Sequence, residues 1–140
     1  MQTHISRSVA ETEQLGEELA RTLHGGCVVA FFGGLGMGKT AFVRGMARAL
    51  SPQAEVSSPT FALVHDYGGD PPLVHFDMYR ITGWDDLYAT GFFEYLDAGA
   101  VLAVEWSENI EEALPPDTIR VRFTRVDDTT RSIEIEGHDV

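Results

Sequence analysis

Residues 27–40 read Cys-Val-Val-Ala-Phe-Phe and then Gly-Gly-Leu-Gly-Met-Gly-Lys-Thr. The first six are a continuous apolar run, which is typical of a strand buried on both faces of a parallel sheet. The next eight match the pattern G-x-x-x-x-G-K-[ST] in full. Residues 39–50, which follow, favour an amphipathic helix with its apolar side chains on one face. A strand, a glycine-rich turn and a helix in this order predict a phosphate-binding loop.

The residue types of this loop suit a nucleotide with a bound metal ion. Glycines lack a Cβ, so backbone N–H groups can converge on phosphate oxygens, and the helix start adds its positive dipole end. Lys39 is expected to reach the β- and γ-phosphates, and the Thr40 hydroxyl is a hard oxygen ligand for Mg²⁺. The backbone groups predicted to contact the nucleotide are those of Gly34, Leu35, Gly36, Met37 and Gly38.

Charge limits the classes of partner. The 140 residues carry 22 acidic against 10 basic side chains, a net charge of −12, and Lys39 is the only lysine. Residues 81–119 hold nine carboxylates and no Lys or Arg. A phosphate backbone would be repelled by this surface, which argues against binding of nucleic acid by the chain alone. The acidic stretch is either a solvated face or a docking surface for a basic partner.

Length and composition predict one domain over residues 1–140, located in the cytoplasm. No apolar run approaches the roughly 20 residues that span a bilayer, and residues 1–10 lack the apolar core of a secretory signal. Cys27 is the only cysteine, so it has no disulfide partner within the chain, and we interpret it as a small buried hydrophobe.

Strand and helix signals alternate along the chain, which predicts an α/β three-layer fold with a mostly parallel central sheet and a C-terminal antiparallel hairpin. Ser8 and Glu11 form a capping box that starts the first helix. Strands are predicted at residues 2–6, 27–32, 61–67, 73–77, 100–106, 117–126 and 131–136. Further helices are predicted at residues 39–50, 84–90, 93–98 and 107–114.

Two acids come directly after apolar strands and are candidates for the metal site. Asp77 closes Leu-Val-His-Phe, and Glu105 closes Val-Leu-Ala-Val. Ligands of open α/β sheets bind beyond the carboxyl ends of the strands, where both acids would lie. One would hold magnesium and the other would position the attacking water, and spacing alone does not tell them apart.

Four motifs in series identify a resemblance. They are residues 33–40, Ser58-Pro59-Thr60-Phe61, His75-Phe76-Asp77-Met78-Tyr79-Arg80 and Val104-Glu105-Trp106. In order and spacing the chain resembles the bacterial TsaE (YjeE/YdiB) family, the ATPases of tRNA threonylcarbamoyladenosine biosynthesis. The resemblance extends from about residue 8 to residue 136. Gly34 stands where the family often has an acidic residue.

The resemblance implies a role for each motif residue. Lys39 and Thr40 would bind phosphate and Mg²⁺, and Glu105 would be the acid linked to magnesium. Asp77 would be needed for catalysis, and Thr60 would lie on a switch-like segment near the γ-phosphate. ATP and Mg²⁺ are the cofactors that follow from this assignment.

The resemblance also bears on positions outside these roles. It implies that Trp106 lies close to the nucleotide and a partner surface, although this residue could equally pack in the core. It also implies that Thr12 lies near the adenine. Arg80 either neutralises transition-state charge or pairs with a carboxylate. His65 and His75 have no partners at metal-ligand spacing, so we interpret them as structural.

The family resemblance implies an accessory ATPase, slow alone, that acts with the TsaD and TsaB transferase pair and meets tRNA only indirectly. A small-molecule kinase would need a basic lid, which the acidic residues 81–119 do not offer. A GTP-driven switch would need an Asn-Lys-x-Asp motif, yet Asn109, the only asparagine, is followed by Ile110.

Overall fold

A central sheet organises the computed structural model, which describes residues 2–33, 38–54, 56, 64–78 and 80–137. Within these residues the strands are β1 (Gln2–Ser6), β2 (Cys27–Phe32), β3 (Val64–Gly69), β4 (Pro72–Asp77), β5 (Val101–Glu105), β6 (Ile119–Arg125) and β7 (Arg131–Glu136). The helices are α1 (Val9–Arg21), α2 (Lys39–Leu50), α3 (Trp84–Ala89), α4 (Phe92–Asp97) and a 3₁₀ helix (Ser107–Ala113).

The strands lie in the spatial order β1-β7-β6-β2-β5-β4-β3. The central four, β6, β2, β5 and β4, run parallel to one another, while β7 pairs antiparallel with β6 and with β1, and β3 pairs antiparallel with β4. The predicted α/β fold with a mostly parallel centre is confirmed. Within the C-terminal hairpin, β6 itself is parallel to β2, so β7 and β1 are the antiparallel strands on that side.

Both faces of the sheet are covered, which explains why β2 is a continuous apolar run. Val29 and Phe31 face the cluster that contains the apolar side of α1 and α2. Val28, one position before Val29, faces the opposite cluster, which is built with α3, α4 and the 3₁₀ helix. Successive side chains of a strand point to opposite faces, so two cores form on one sheet.

Element bounds follow the predictions closely in most places. Strands β1 and β2 and helix α2 have the predicted bounds. Residues 61–63 of the predicted third strand lie outside the described residues, and β3 continues to Gly69. The predicted helix at residues 107–114 is a 3₁₀ helix, and Ile110 inside it departs from helical dihedral angles.

Helices α1 and α2 pack against each other at close range. The predicted capping box starts α1, since Ser8 Oγ accepts the N–H of Glu11 at 3.1 Å. Glu13 of α1 accepts from Arg44 and Arg48 of α2 at 3.0 and 3.2 Å. Among the described residues, none of the helices combines the length and apolar character needed to cross a membrane.

Cys27 at the start of β2 is half-buried. Burial, and to a smaller extent the nearby Asp117 carboxylate, raise the pKa of its thiol to about 11. Cys27 therefore stays protonated at neutral pH, where a thiolate would be needed for reactivity.

Candidate functional site

Three parallel strands end side by side at one edge of the sheet. Gly33 follows β2, Glu105 is the last residue of β5, and Asp77 is the last residue of β4. Asp77 and Glu105 lie directly opposite each other in the register. Because β5 lies between β2 and β4, Glu105 is on the strand next to the glycine-rich turn and Asp77 is one strand, about 4.8 Å, further away.

Lys39 opens α2 beside this edge and is 95% buried, with 5% of its surface exposed. Its Nζ donates to the carbonyl oxygen of Gly33 at 2.9 Å and lies 5.2 Å from the ring centroid of Trp106. Gly38, which precedes it, has φ +100°, a left-handed conformation that favours glycine. No side chain caps α2, so its first N–H groups are available to an anion.

Trp106 follows Glu105 in a left-handed conformation, with φ 58° and ψ 41°. Such a conformation is strained by roughly 1–2 kcal/mol in a residue with a Cβ, and strain of this kind gathers at functional sites. Trp106 also packs against the core under α3 and α4. Both interpretations of this residue thus have a structural basis, since its ring contacts Lys39 and the core.

The ends of β4 and β5 are fastened to each other beyond the two acids. Met78 N–H donates to the carbonyl oxygen of Glu105 at 3.0 Å. Asn109 Nδ2, from the 3₁₀ helix, donates to the carbonyl oxygen of Met78 at 2.8 Å. These bonds hold Asp77 and Glu105 as neighbours, which no spacing in the sequence indicates.

His75 contacts the site, and sequence reasoning missed it. Its Nε2 lies 2.6 Å from Oε2 of Glu105, and its side chain has no solvent exposure. We interpreted His75 as structural because no ligand stood at metal spacing near it. The contact joins residues 30 positions apart on two strands, so no local pattern indicates it.

The side chains present fit a magnesium ion. Thr40 lies on the first turn of α2, and Glu105 and Asp77 end the neighbouring strands, so the available donors are hard oxygens. No group of three or more His, Cys, Asp or Glu able to hold a metal occurs among the described residues. Mg²⁺ is commonly held by one or two carboxylates with phosphate and water oxygens, so a larger set is not required.

A cavity of about 340 Å³ lies beside Gly38, between the start of α1 and the β6–β7 turn. It is lined by Ser8, Val9 and Thr12 of the α1 region and by Thr129 of the β6–β7 turn. Thr12 is buried, and its Oγ1 lies 2.7 Å from Oγ of Ser6. A methyl group placed on Gly38 would lie 3.7 Å from Cγ2 of Thr12, so this cavity adjoins the glycine-rich turn.

Some predicted site residues lie outside the described residues. These are Gly34, Leu35, Gly36 and Met37 of the loop and Thr60 of the second motif. Arg80 is exposed, and it takes part in none of the ion pairs between described residues. Both interpretations of Arg80, as a group that neutralises transition-state charge and as the partner of Asp77 or another acid, therefore stay predictions.

Comparison with known proteins agrees with this architecture. The family model described as "Threonylcarbamoyl adenosine biosynthesis protein TsaE" matches residues 6–133. A tRNA threonylcarbamoyladenosine biosynthesis protein TsaE from Treponema pallidum is 36% identical over 94% of this chain and 97% of its own length. The Streptomyces coelicolor protein of that name is 40% identical over 86% of this chain and 84% of its own.

A solved structure supports the same assignment. The crystal structure of Bacillus subtilis YdiB is similar, with a TM-score of 0.75 and 31% identity over 94% of this chain and 82% of that one. The sheet order, the two cores and the likeness to that structure define a three-layer α/β protein of the P-loop NTPase type. Within that class, the chain belongs to the TsaE family of threonylcarbamoyladenosine biosynthesis proteins.

Proposed function

We propose that this protein binds and hydrolyses Mg-ATP as the accessory ATPase of tRNA threonylcarbamoyladenosine modification. The observation that carries the proposal is the convergence of Lys39, Glu105 and Asp77 at one sheet edge. A cation for phosphate, a carboxylate for the metal and a second carboxylate for water are the parts that phosphoryl transfer to water requires. The relatives are named for tRNA threonylcarbamoyladenosine biosynthesis, which supports a role of the proposed activity in tRNA modification.

In the proposed mechanism, Lys39 exchanges its bond to the Gly33 carbonyl for the β- and γ-phosphate oxygens. The backbone N–H groups at the start of α2 bind the same phosphates, together with those of the loop residues. Thr40 and Glu105 would hold Mg²⁺, which when bound neutralises charge that develops on the phosphate oxygens. Trp106 excludes water on the side of Lys39 that its ring covers.

Asp77 is the second carboxylate of the site, and it is proposed to orient the attacking water. Its carboxylate lies level with Glu105 but one strand further from the glycine-rich turn. That position suits a group that acts on water in line with the γ-phosphate rather than on the metal. Thr60 is proposed to approach the same phosphate from the switch-like segment.

Adenine is the proposed base, bound in the cavity beside Thr12. The volume of about 340 Å³ is in the usual range for a small-ligand pocket, and Val9 gives it an apolar wall. The Thr12 hydroxyl is already engaged with Ser6, so its methyl group is the part available for packing against a base.

The two carboxylates should have separable phenotypes. We expect Glu105→Gln to raise the Mg²⁺ concentration needed for tight ATP binding by about tenfold or more, because the amide keeps an oxygen but loses the negative charge that favours the metal; changes of this size follow alteration of metal-site partners. Asp77→Asn should bind Mg-ATP with little change and hydrolyse it about 10²-fold more slowly, the lower range for a lost general base. Nucleotide affinity measured across a Mg²⁺ titration, with single-turnover hydrolysis, separates them. Exchanged phenotypes would reverse the assignment.

TsaD and TsaB are the proposed partners, and the acidic region supports a docking surface for them. Trp84 and Tyr88 on α3 are 50% and 55% exposed, and their ring centroids are 6.4 Å apart. Tyr88 in turn lies 5.0 Å from Phe93 of α4, which forms an aromatic ladder. Exposed aromatic side chains among carboxylates suit a protein surface that presents Arg or Lys beside an apolar pocket.

Replacing Trp84, the exposed end of the aromatic ladder, should weaken the proposed complex with TsaD and TsaB. We expect Trp84→Ala to lower affinity for the purified TsaD–TsaB pair by about tenfold or more, the usual effect of losing an aromatic anchor. Val126→Ala is a matched control, because Val126 is 57% exposed on the β6–β7 turn. Titration calorimetry with Mg-ATP present measures both. Equal losses in the two variants would move the docking surface elsewhere.

Contact with tRNA is proposed to occur only through these partners. The net charge of −12 opposes a phosphate backbone. Three of the four arginines of the C-terminal hairpin also have contacts within the chain: Arg122 lies 4.7 Å over the ring of Phe32, Arg125 pairs with Asp128, and Arg131 donates to the Asp127 carbonyl at 2.7 Å.

A further inference from the structure

His75 is a polar side chain in an apolar core. It lies in the middle of β4 with no solvent exposure, on the sheet face that packs under α2. Its neighbours on that face, Leu73 and Val101, are fully buried apolar residues. Burying an imidazole is unfavourable unless its nitrogens find partners, so the identity of those partners indicates what the residue does.

One ring nitrogen of His75 has a charged partner. Nε2 lies 2.6 Å from Oε2 of Glu105, a short distance typical of a bond to a carboxylate. Residue 75 lies opposite Ala103 in the register, and Glu105 is two positions further along β5. The small side chain of Ala103 leaves room for the imidazole to lean along the sheet toward Glu105.

The protonation pattern follows from the donor and acceptor types. An ionised carboxylate only accepts hydrogen bonds, so the proton lies on Nε2 of His75. Nδ1 is buried and has no hydrogen-bond partner among the described residues. When the ring is neutral and carries its proton on Nε2, Nδ1 has only an unpartnered lone pair. A proton on Nδ1 would instead leave a buried donor unsatisfied.

We propose that His75 is a positioning residue that holds one oxygen of Glu105 so that the other is directed at the metal. This inference rests on the proposed function of Glu105. Because Oε2 is held by His75, Oε1 is the oxygen that remains for Mg²⁺ or its bound water. Partners in the outer shell of a metal site fix ligand orientation in this way.

A purely structural role for His75 makes the opposite prediction about the metal site. If the ring served only to pack the core and to partner the buried carboxylate, leucine would lower stability, because Glu105 would lose its hydrogen-bond partner. The Mg²⁺ dependence of ATP binding would then stay that of wild type. If the ring positions Glu105, leucine should raise the Mg²⁺ requirement beyond what a loss of stability alone does.

The test uses the intact protein and three variants. We expect His75→Leu to raise the Mg²⁺ concentration for half-maximal tightening of ATP binding by about tenfold. Binding of ATP without metal should be unchanged. His75→Gln should retain most of the wild-type Mg²⁺ dependence, because its side-chain amide can donate to Glu105. Val101→Ala, which alters packing on the same face, is the control for general disturbance.

Urea denaturation of the same variants supplies a readout independent of activity. Val101→Ala should lose stability without a change in Mg²⁺ dependence, so a raised Mg²⁺ requirement in His75→Leu at similar stability reflects the position of Glu105. Wild-type Mg²⁺ dependence in His75→Leu, with a raised Mg²⁺ requirement in Glu105→Gln, would overturn this inference alone. Unchanged Mg²⁺ dependence in Glu105→Gln would remove the proposed role of Glu105 and this inference with it.

Discussion

Replacing Lys39 with alanine should lower the single-turnover rate of ATP hydrolysis by about 10²- to 10³-fold, the range for loss of one preorganised electrostatic donor. Lys39 is the only lysine, it is almost fully buried, and its ammonium group lies within reach of the Gly33 carbonyl at the turn. In that setting it has little competition from water for the phosphate charge, so its loss should weaken ATP binding as well.

The matched control for Lys39→Ala is Arg21→Ala. Both variants remove one positive charge from a chain of net charge −12, but Arg21 is exposed on α1 and pairs with Glu17 on the same helix. Rates are measured with saturating Mg-ATP, and circular dichroism checks that each variant is folded. Wild-type hydrolysis in Lys39→Ala would contradict the proposed function.

Lys39→Arg should also be strongly impaired. Arginine keeps the charge but replaces a compact ammonium by a planar fork, which cannot occupy the narrow space between the Gly33 carbonyl and the Trp106 ring. Comparing it with Lys39→Ala separates the contribution of charge from that of shape.

Gly45→Ala is expected to destabilise the fold by about 1–3 kcal/mol or more, a large share of the roughly 5–15 kcal/mol of a typical domain. A Cβ on Gly45 would lie 1.8 Å from the carbonyl oxygen of Glu13, so α1 and α2 would have to separate. A Cβ on Gly16 would lie 2.1 Å from the Phe42 carbonyl oxygen, the same clash from the other helix.

A destabilising effect of Gly45→Ala would be informative, because alanine normally stabilises a helix interior relative to glycine by about 0.5–1 kcal/mol. Gly83→Ala is the control: its φ of −171° is extended backbone that any residue adopts, and apart from its chain neighbours no atom of the described residues lies within 4 Å of an added Cβ. Urea denaturation measures both. A Gly45→Ala protein as stable as wild type would mean that the helices do not approach this closely.

Local signals account for the elements that were predicted correctly. The bounds of β2 and α2 follow from an apolar run, a glycine-rich turn and helical periodicity, all of which lie within a few residues of each other. The 3₁₀ helix at Ser107–Ala113 was predicted only as a helix, because the sequence pattern does not reveal the tighter hydrogen bonding or the kink at Ile110. Both β6 and β7 were predicted as a hairpin, yet the pattern carries no sign that β6 also lies parallel to β2.

The candidate site also combines features that the sequence predicts with features that only the fold reveals. By itself the sequence determined the glycine-rich motif with Lys39 and Thr40, the two candidate carboxylates and the family resemblance. Only the tertiary structure decided that Glu105 lies on the strand next to the loop, that His75 contacts it, and that Gly16 and Gly45 bring α1 and α2 together. The physical reason is that parallel strands are joined through crossovers, so neighbours in the sheet are distant in the chain. Their contacts arise from packing over long separations, which local propensity and periodicity do not contain.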